Sequence, residues 1–257
     1  MDNKIALCFL TYDNLSKPNL WEKFINDKYN IYIHNKNEFS GIFEKYCIKD
    51  KVKTRWGDTS LVKATLCLFK DAFEVQENKF FILLSDKCIP LYNPDELYKK
   101  IIEKNDNIVS SYSPKENGYP TFPNWNISQC NYRFSTLKDK KFFDINTFKK
   151  QHQWMVLKRE TIDFFLKNDY TNIFGNRFSI PDEHYFINIM IKFNISFLNK
   201  PITFIDRKNS SNIPYKGAPR IYNTLTNEMI MDILKTDTLF MRKIAPNCNL
   251  PSYFDKF

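Results

Sequence analysis

The first 112 residues alternate short apolar runs with stretches that have helical periodicity. The apolar runs predict strands at residues 4–10, 29–34, 79–84 and 107–111, each followed by turn or polar residues. The clearest helix follows Trp56, with Leu61, Ala64, Leu68 and Ala72 on one stripe and Lys63 and Lys70 off it. A second helix begins at Asn93-Pro94, a suitable N-cap followed by a first-turn proline. This alternation predicts a mostly parallel, open α/β sheet that binds ligands at the carboxyl ends of its strands.

The second half of the chain has a looser pattern. Residues 113–131 combine prolines, asparagines and aromatics, which predicts a long functional loop. Strands are predicted at 153–157 and 202–205, helices at 159–168 and 226–235, and a further helix that opens within 179–183. A polar loop, 206–220, follows the last of these strands. No internal repeat is visible, so we predict one domain over residues 1–257.

Charge and cysteine usage narrow the class of protein. The formal charge of +9 suits an anionic partner: nucleic acid, a lipid surface or a nucleotide diphosphate. The lysines are dispersed, however, and a solvated lysine-rich surface explains most of that charge. Six scattered cysteines without a CxxC motif suggest neither a zinc site nor a disulfide framework. No apolar run approaches the roughly 20 residues of a membrane span, and the N-terminus reads as a strand, which predicts a cytoplasmic protein.

The most suggestive short motif is Pro181-Asp182-Glu183-His184 at a predicted helix start. Acids commonly occupy helix N-termini as caps, so capping is the more frequent explanation of such a motif. If Glu183 were a general base, the helix end would favour its ionised form. On chemistry alone, Asp182 could equally take that role.

Other motifs bear on how a phosphate group could be bound. No Asp-x-Asp, GxGxxG or GxxxxGK[ST] sequence occurs, so the usual metal–diphosphate, dinucleotide and P-loop motifs are absent. Fixed basic side chains can stabilise a leaving diphosphate instead, and Arg220 and Lys243 are the candidates. His34, His152 and His184 lack ligand spacing, and Cys88, Trp56 and Trp154 taken singly are more often core residues.

Several segments, in order, resemble glycosyltransferase family 14, the core-2/I-branching enzymes with their plant-type, xylosyltransferase and glucuronosyltransferase relatives. The most similar segment is FILLSDKCIPLYN at 81–93. The others are IALCFLT at 5–11, LWEKF at 20–24, YNIYIH at 29–34, RWGDTSLV at 55–62, KKQHQW at 149–154, PDEHY at 181–185, KGAPR at 216–220 and FMRKIAP at 240–246. The resemblance runs from about residue 4 to 246. Where branching enzymes have an aspartate after the second strand, this chain has His34-Asn35-Lys36.

The resemblance implies a GT-A-like (Rossmann-like) fold, with a nucleotide-binding part at about 1–112 and an acceptor and catalytic part at about 113–257. It implies an inverting transferase that moves GlcNAc, xylose or glucuronate from a UDP-sugar to a glycan hydroxyl, forming a β-linkage. A β-1,6-N-acetylglucosaminyltransferase-like activity is the nearest example. No divalent metal or other cofactor is expected.

The resemblance also assigns roles to residues. Glu183 matches the family's base, which favours catalysis over capping there, and Arg220 and Lys243 match its diphosphate ligands. Thr11, His34 and Trp56 should line the nucleotide site. By position, the donor or acceptor sugars should lie near five further residues: Asp86, Lys150, Gln153, Trp154 and Asp182.

Two alternatives remain open at this stage. One is an inactive basic module that binds glycan or nucleic acid on the same fold, and the other is a metal-dependent transferase. The transferase interpretation expects a UDP-sugar and a glycoconjugate as partners, no nucleic acid, and at most peripheral contact with a membrane. Because the membrane anchor of eukaryotic members is not seen, a bacterial or viral protein is expected.

Overall fold

The computed structural model describes residues 3–114, 126–207 and 218–257. Its ten strands are β1 (Lys4–Thr11), β2 (Tyr29–Asn35), β3 (Asn78–Ser85), β4 (Ile89–Pro90), β5 (Ile108–Tyr112), β6 (Lys150–Lys158), β7 (Thr203–Ile205), β8 (Tyr222–Thr224), β9 (Phe240–Arg242) and β10 (Ile244–Asn249) in the described ranges. The α-helices of the same ranges are α1 (Pro18–Glu22), α2 (Ser60–Phe73), α3 (Pro94–Lys104), α4 (Ile127–Ser135), α5 (Arg159–Lys167), α6 (Thr171–Phe174), α7 (Tyr185–Lys192) and α8 (Asn227–Leu234).

The central sheet has the order β2-β1-β3-β6-β5. β1 pairs in parallel with both β2 and β3, while β6 runs antiparallel to β3 and β5. Four strands therefore share one direction, which confirms the mostly parallel α/β sheet with flanking helices. The antiparallel β6 places its first residues beside the carboxyl ends of its neighbours, since Phe81 at mid-strand of β3 pairs with Leu157 near the end of β6.

Two smaller sheets bring the C-terminal region to the same edge. β4, β9 and β7 form one, in which β9 lies between the other two, and β10 pairs with β8. β9 pairs antiparallel with β4 directly after the Ser85–Cys88 turn. Ile205 of β7 pairs with Arg242 of β9, and Ile244 donates a backbone hydrogen bond to the Lys87 carbonyl at 3.0 Å. The ends of β3, β7 and β9 therefore converge.

The core lies on both faces of the central sheet. β1 and β3 are almost wholly buried, which explains why they read as continuous apolar runs rather than alternating ones. α2 buries a wider face than the predicted stripe: Val62, Thr65 and Phe69 are buried with Ala64, Leu68 and Ala72, whereas Leu61 is only half-buried. Asn93 caps α3 as predicted, because its side chain accepts from the Glu96 N–H at 2.9 Å.

Two predictions about local structure are wrong. The predicted loop 113–131 contains the start of α4, whose first turn is stabilised by the Asn126 side chain accepting from the Gln129 N–H at 2.9 Å. Residues 115–125 of that loop lie outside the described residues. Pro181–Glu183 is a separate 3-10 turn, and α7 begins only at Tyr185, because Ile180 is left-handed and His184 departs from helical geometry. The acids therefore do not sit in the first turn of a long helix.

Candidate functional site

A buried ion pair lies at the centre of the candidate site. The Lys150 Nζ atom is 2.8 Å from Glu183 Oε2, and the two side chains are 10% and 19% exposed. Lys150 is at the start of β6 and Glu183 at the end of the 3-10 turn. Burial lowers the pKa of Lys150, while the Glu183 carboxylate acts in the opposite direction. The pair uses Oε2, and Glu183 Oε1 has no hydrogen bond to any described residue, so one carboxylate oxygen is available to a ligand.

Asp182 precedes Glu183 in the turn and differs from it in having a buried carboxyl oxygen with no partner among the described residues. This oxygen is Oδ1, and the side chain as a whole is buried. Burial, followed by the neighbouring Glu183 charge, raises the pKa of Asp182 to about 7, although the Lys150 and Arg133 charges act in the opposite direction. A protonated Asp182 can therefore persist near neutral pH beside the Lys150–Glu183 ion pair.

A hydrogen-bonded chain anchors the turn that carries these acids. Arg133 of α4 donates from Nη1 to His184 Nε2 at 2.8 Å, and His184 Nδ1 donates to the Lys149 carbonyl at 2.8 Å. Burial, followed by the nearby Arg133 and Lys150 charges, lowers the pKa of His184 well below its usual range, so its imidazole is neutral. The ring stacks on Phe148 at 5.2 Å between centroids. These hydrogen bonds connect Lys149, the residue before Lys150, to His184, the residue after Glu183.

A second group of cations gathers where β3, β7 and β9 end. Burial lowers the pKa of Lys243 to about 8, followed by the positive charges of Arg242, Lys87 and Arg207, with Asp86 opposing. Arg242 stacks on Trp154, with its guanidinium carbon 4.4 Å from the ring centroid. Its Nε is buried and has no hydrogen-bond partner among the described residues. Lys87, Arg207, Arg242 and Lys243 are all half-buried, and such a concentration of positive charge is suited to a polyanionic ligand.

Arg220 and Lys243 are brought together by the backbone. The Lys243 N–H donates to the Arg220 carbonyl at 3.4 Å, and the Tyr222 N–H donates to the Lys243 carbonyl at 2.8 Å. The Arg220 guanidinium lies over the Tyr222 ring and 3.8 Å from Asp206. Lys216 and Gly217 of the same motif lie outside the described residues.

The ends of β1 and β2 form the next part of this edge. Thr11 Oγ1, His34 Nδ1 and Asn35 Oδ1 are buried without a hydrogen-bond partner among the described residues. His34 Nε2 accepts from the Val52 N–H at 3.0 Å, and burial lowers its pKa. Unsatisfied buried polar atoms are uncommon in folded proteins and mark places where a ligand can bond.

The remaining predicted residues are placed as follows. Trp56 is 81% exposed, so the core interpretation of it was wrong, whereas Trp154 is buried. The Gly57 carbonyl accepts from the Ile180 N–H at 2.9 Å, so the Trp56 turn lies against the acidic turn. Asp86 is buried, and burial raises its pKa. Gln153 is half-buried in an irregular part of β6, and its side chain bonds to no described residue.

Sequence reasoning missed three basic residues of the site: Arg133, Arg207 and Arg242. Burial lowers the pKa of each of the three, and the Glu183 carboxylate acts in the opposite direction on each. Arg242 lies inside the motif FMRKIAP at 240–246, and no local pattern distinguishes it from Lys243 as a ligand of the diphosphate. Arg133 lies two residues after the predicted loop 113–131, and Arg207 lies inside the predicted polar loop 206–220.

No group of three or more His, Cys, Asp or Glu side chains within residues 3–114, 126–207 and 218–257 is arranged to hold a metal ion. In the same ranges no helix has the length and apolar character needed to cross a membrane.

Comparison with known proteins identifies one family. The family model for the Core-2/I-branching enzyme matches residues 5–233. A curated rice protein (Oryza sativa subsp. japonica), glycosyltransferase BC10, is 22% identical over 178 residues, which cover 65% of this chain and 41% of the rice protein. This chain thus spans less than half the length of that relative. The crystal structure of A197 from STIV is 12% identical over 62% of this chain and 67% of its own, with a TM-score of 0.29.

Proposed function

Because the chain belongs to the Core-2/I-branching enzyme family, we propose that it is a glycosyltransferase with Glu183 as its general base. The observation that carries the proposal is the Lys150–Glu183 pair, which leaves one carboxylate oxygen available in the electrostatic field of a group of half-buried cations. A carboxylate held in this way can accept a proton, and fixed cations nearby can receive the charge of a leaving group.

The proposed reaction takes a sugar from a nucleoside diphosphate donor, with UDP as the expected nucleotide. Glu183 Oε1 removes the proton of an acceptor hydroxyl as that oxygen bonds to the anomeric carbon. The bond from this carbon to the diphosphate oxygen breaks, and the diphosphate leaves with the electron pair. Attack opposite the leaving group inverts the anomeric configuration, which gives a β-linked product from an α-linked donor.

Lys243, Arg220 and Arg242 are proposed to neutralise the departing diphosphate. Burial is the main cause that lowers the pKa of Lys243, three neighbouring cations lower it further, and bound phosphate oxygens would offset both effects. Arg242 Nε is buried with no hydrogen-bond partner in the part of the chain that the structure describes, which supports the same role. In this proposal the fixed side chains provide the counter-charge, and no divalent metal is required.

The nucleoside is proposed to bind at the ends of β1 and β2. Thr11, His34 and Asn35 each have an unsatisfied buried atom there among the described residues, which supports this placement. Trp56 would border that site. The transferred sugar, proposed to be GlcNAc, xylose or glucuronate, would lie between Asp86 and Trp154, near Lys150 and Gln153.

A donor panel tests the proposal. UDP-GlcNAc, UDP-xylose and UDP-glucuronate are each added to the wild type in excess EDTA, and thermal stabilisation and UDP release are measured. We expect one donor to raise the melting temperature and to release UDP in EDTA. Release that stops in EDTA and returns with Mn²⁺ would replace this mechanism by a metal-dependent one. If no donor binds, the proposed transferase function is rejected in favour of the alternative interpretation, an inactive basic module that binds glycan or nucleic acid.

A further inference from the structure

A polar cavity of about 260 Å³ lies beside the catalytic turn and is not used by the proposed reaction. Two lysines, Lys63 and Lys138, line it together with Thr59, Thr171, Asn172 and Asn176. The described lining thus offers ammonium, hydroxyl and amide groups, and none of its described residues is a carboxylate. Its size is suited to a single sugar ring with a small substituent.

The backbone connects this cavity to the acidic turn. Thr59 follows Gly57 by two residues, and the Gly57 carbonyl accepts from the Ile180 N–H at 2.9 Å. Ile180 in turn accepts from the Glu183 N–H at 3.1 Å. The cavity and Glu183 therefore belong to the same pair of adjoining segments, and the exposed Trp56 precedes that junction.

Lys63 and Lys138 give the described lining of the cavity a positive charge. Lys63 and Lys138 are exposed, and neither forms an ion pair within the described parts of the chain. The Lys138 N–H donates to the Ile173 carbonyl at 2.8 Å, which fixes its backbone at the rim. Gly175 lies against Lys138, because a Cβ at that position would be 3.1 Å from the Lys138 Cβ. Two ammonium groups with hydroxyl and amide donors around them form a binding set for an anionic, hydroxylated ligand.

We propose that this cavity is an acceptor subsite for a sugar bearing a negative charge, as a carboxylate or as a phosphate or sulfate ester. The proposal rests on the proposed transferase function, since it places the anionic sugar a short distance along the acceptor from the reacting hydroxyl. A merely solvated pair of lysines would show no preference between charged and uncharged forms of one sugar.

Calorimetric binding of defined probes tests the subsite directly. The first pair is a galacturonic acid trisaccharide and its methyl ester, and glucose 6-phosphate and galactose 6-sulfate identify which anion is preferred. Wild type is compared with the double variant Lys63→Gln/Lys138→Gln and with Lys70→Gln, a matched loss of charge farther along the same helix. Thermal unfolding of each variant checks that it is folded.

We expect the wild type to bind at least one anionic probe about tenfold or more tightly than the uncharged sugar, which is the strength of one charged hydrogen bond. The double variant should lose that preference, and Lys70→Gln should retain it. Equal binding of charged and uncharged probes by the wild type, or an unchanged preference in the double variant, overturns the subsite. These binding measurements need no donor, so they can fail while the wild type still releases UDP. Failure of sugar binding overturns the subsite alone, whereas failure of UDP release overturns the proposed transferase function.

Discussion

Replacing Asp182 by asparagine should stabilise the folded chain at neutral and alkaline pH. Burial raises the pKa of Asp182 to about 7 from the ordinary value of 3.8. Between these two values the folded chain holds a proton that the unfolded chain has lost, so stability from this group falls as pH rises through that window. At about 1.4 kcal/mol for each pKa unit, the cost at pH 8 is about 4 kcal/mol. Asparagine avoids that cost because it carries no charge.

Urea unfolding at pH 4, 6 and 8 measures the effect. Asp182→Asn should differ little from the wild type at pH 4, and it should be more stable by a few kcal/mol, at most about 4, at pH 8. Asp27→Asn, an exposed carboxylate removed in the same way, serves as the control and should leave the pH dependence unchanged. Parallel curves for the wild type and Asp182→Asn would refute the raised pKa.

The same variant decides between the two acids of the motif. If Glu183 is the base, Asp182→Asn retains turnover, because the neutral side chain keeps the shape of protonated Asp182. Loss of turnover with normal donor binding would instead make Asp182 the base, the alternative that the sequence left open.

Three further predictions concern the surrounding residues. Lys243→Gln should weaken UDP binding by about 10- to 100-fold. The affinity of the wild type for UDP should also fall as pH rises through about 8, because the Lys243 ammonium loses its proton there. Calorimetry at pH 7 and 9 measures both effects, and an affinity that does not change with pH contradicts the role of Lys243. Arg133→Gln should cost about 1–3 kcal/mol in urea unfolding because the buried His184 Nε2 loses its donor, and unchanged stability would remove the anchoring role. Gly175→Ala should lower the free energy of unfolding by about 1–3 kcal/mol, and by more than Gly41→Ala does. Both glycines have a positive φ, but of the two only Gly175 has a neighbouring atom, Lys138 Cβ, within contact distance of an added Cβ. Equal losses of stability in urea unfolding would contradict the contact with Lys138.

Most of the central sheet could be predicted from the sequence because β1, β3 and β5 are buried on both faces, whereas β2 is half-buried at three of its seven positions. β1, β2, β3 and β5 each form an apolar run long enough to recognise, and the alternation with helices indicates their common direction. β4, β7, β8 and β9 are only two or three residues long, too short for periodicity to identify. Of these four only β7 was predicted, and β9, which carries Arg242, was not.

Part of the candidate site could be predicted, and part depends on tertiary contacts. Glu183 and Lys150 were each identified from a motif, but their ion pair joins segments 33 residues apart, and no local pattern encodes it. Arg133 acts through His184, 51 residues away, and its helix was predicted as a loop. Isolated basic residues in a lysine-rich chain carry no local signal that separates a buried cation from a surface one.

The most direct test of the account is turnover and donor binding by Glu183→Gln. The glutamine keeps the shape of the side chain and cannot accept the acceptor proton. With the donor that stabilises the wild type, Glu183→Gln should bind with similar affinity, and UDP release in the presence of acceptor should fall by about 100-fold or more. Binding retained with turnover lost is the predicted result, and turnover within about threefold of the wild type would contradict the assignment of Glu183 as the base.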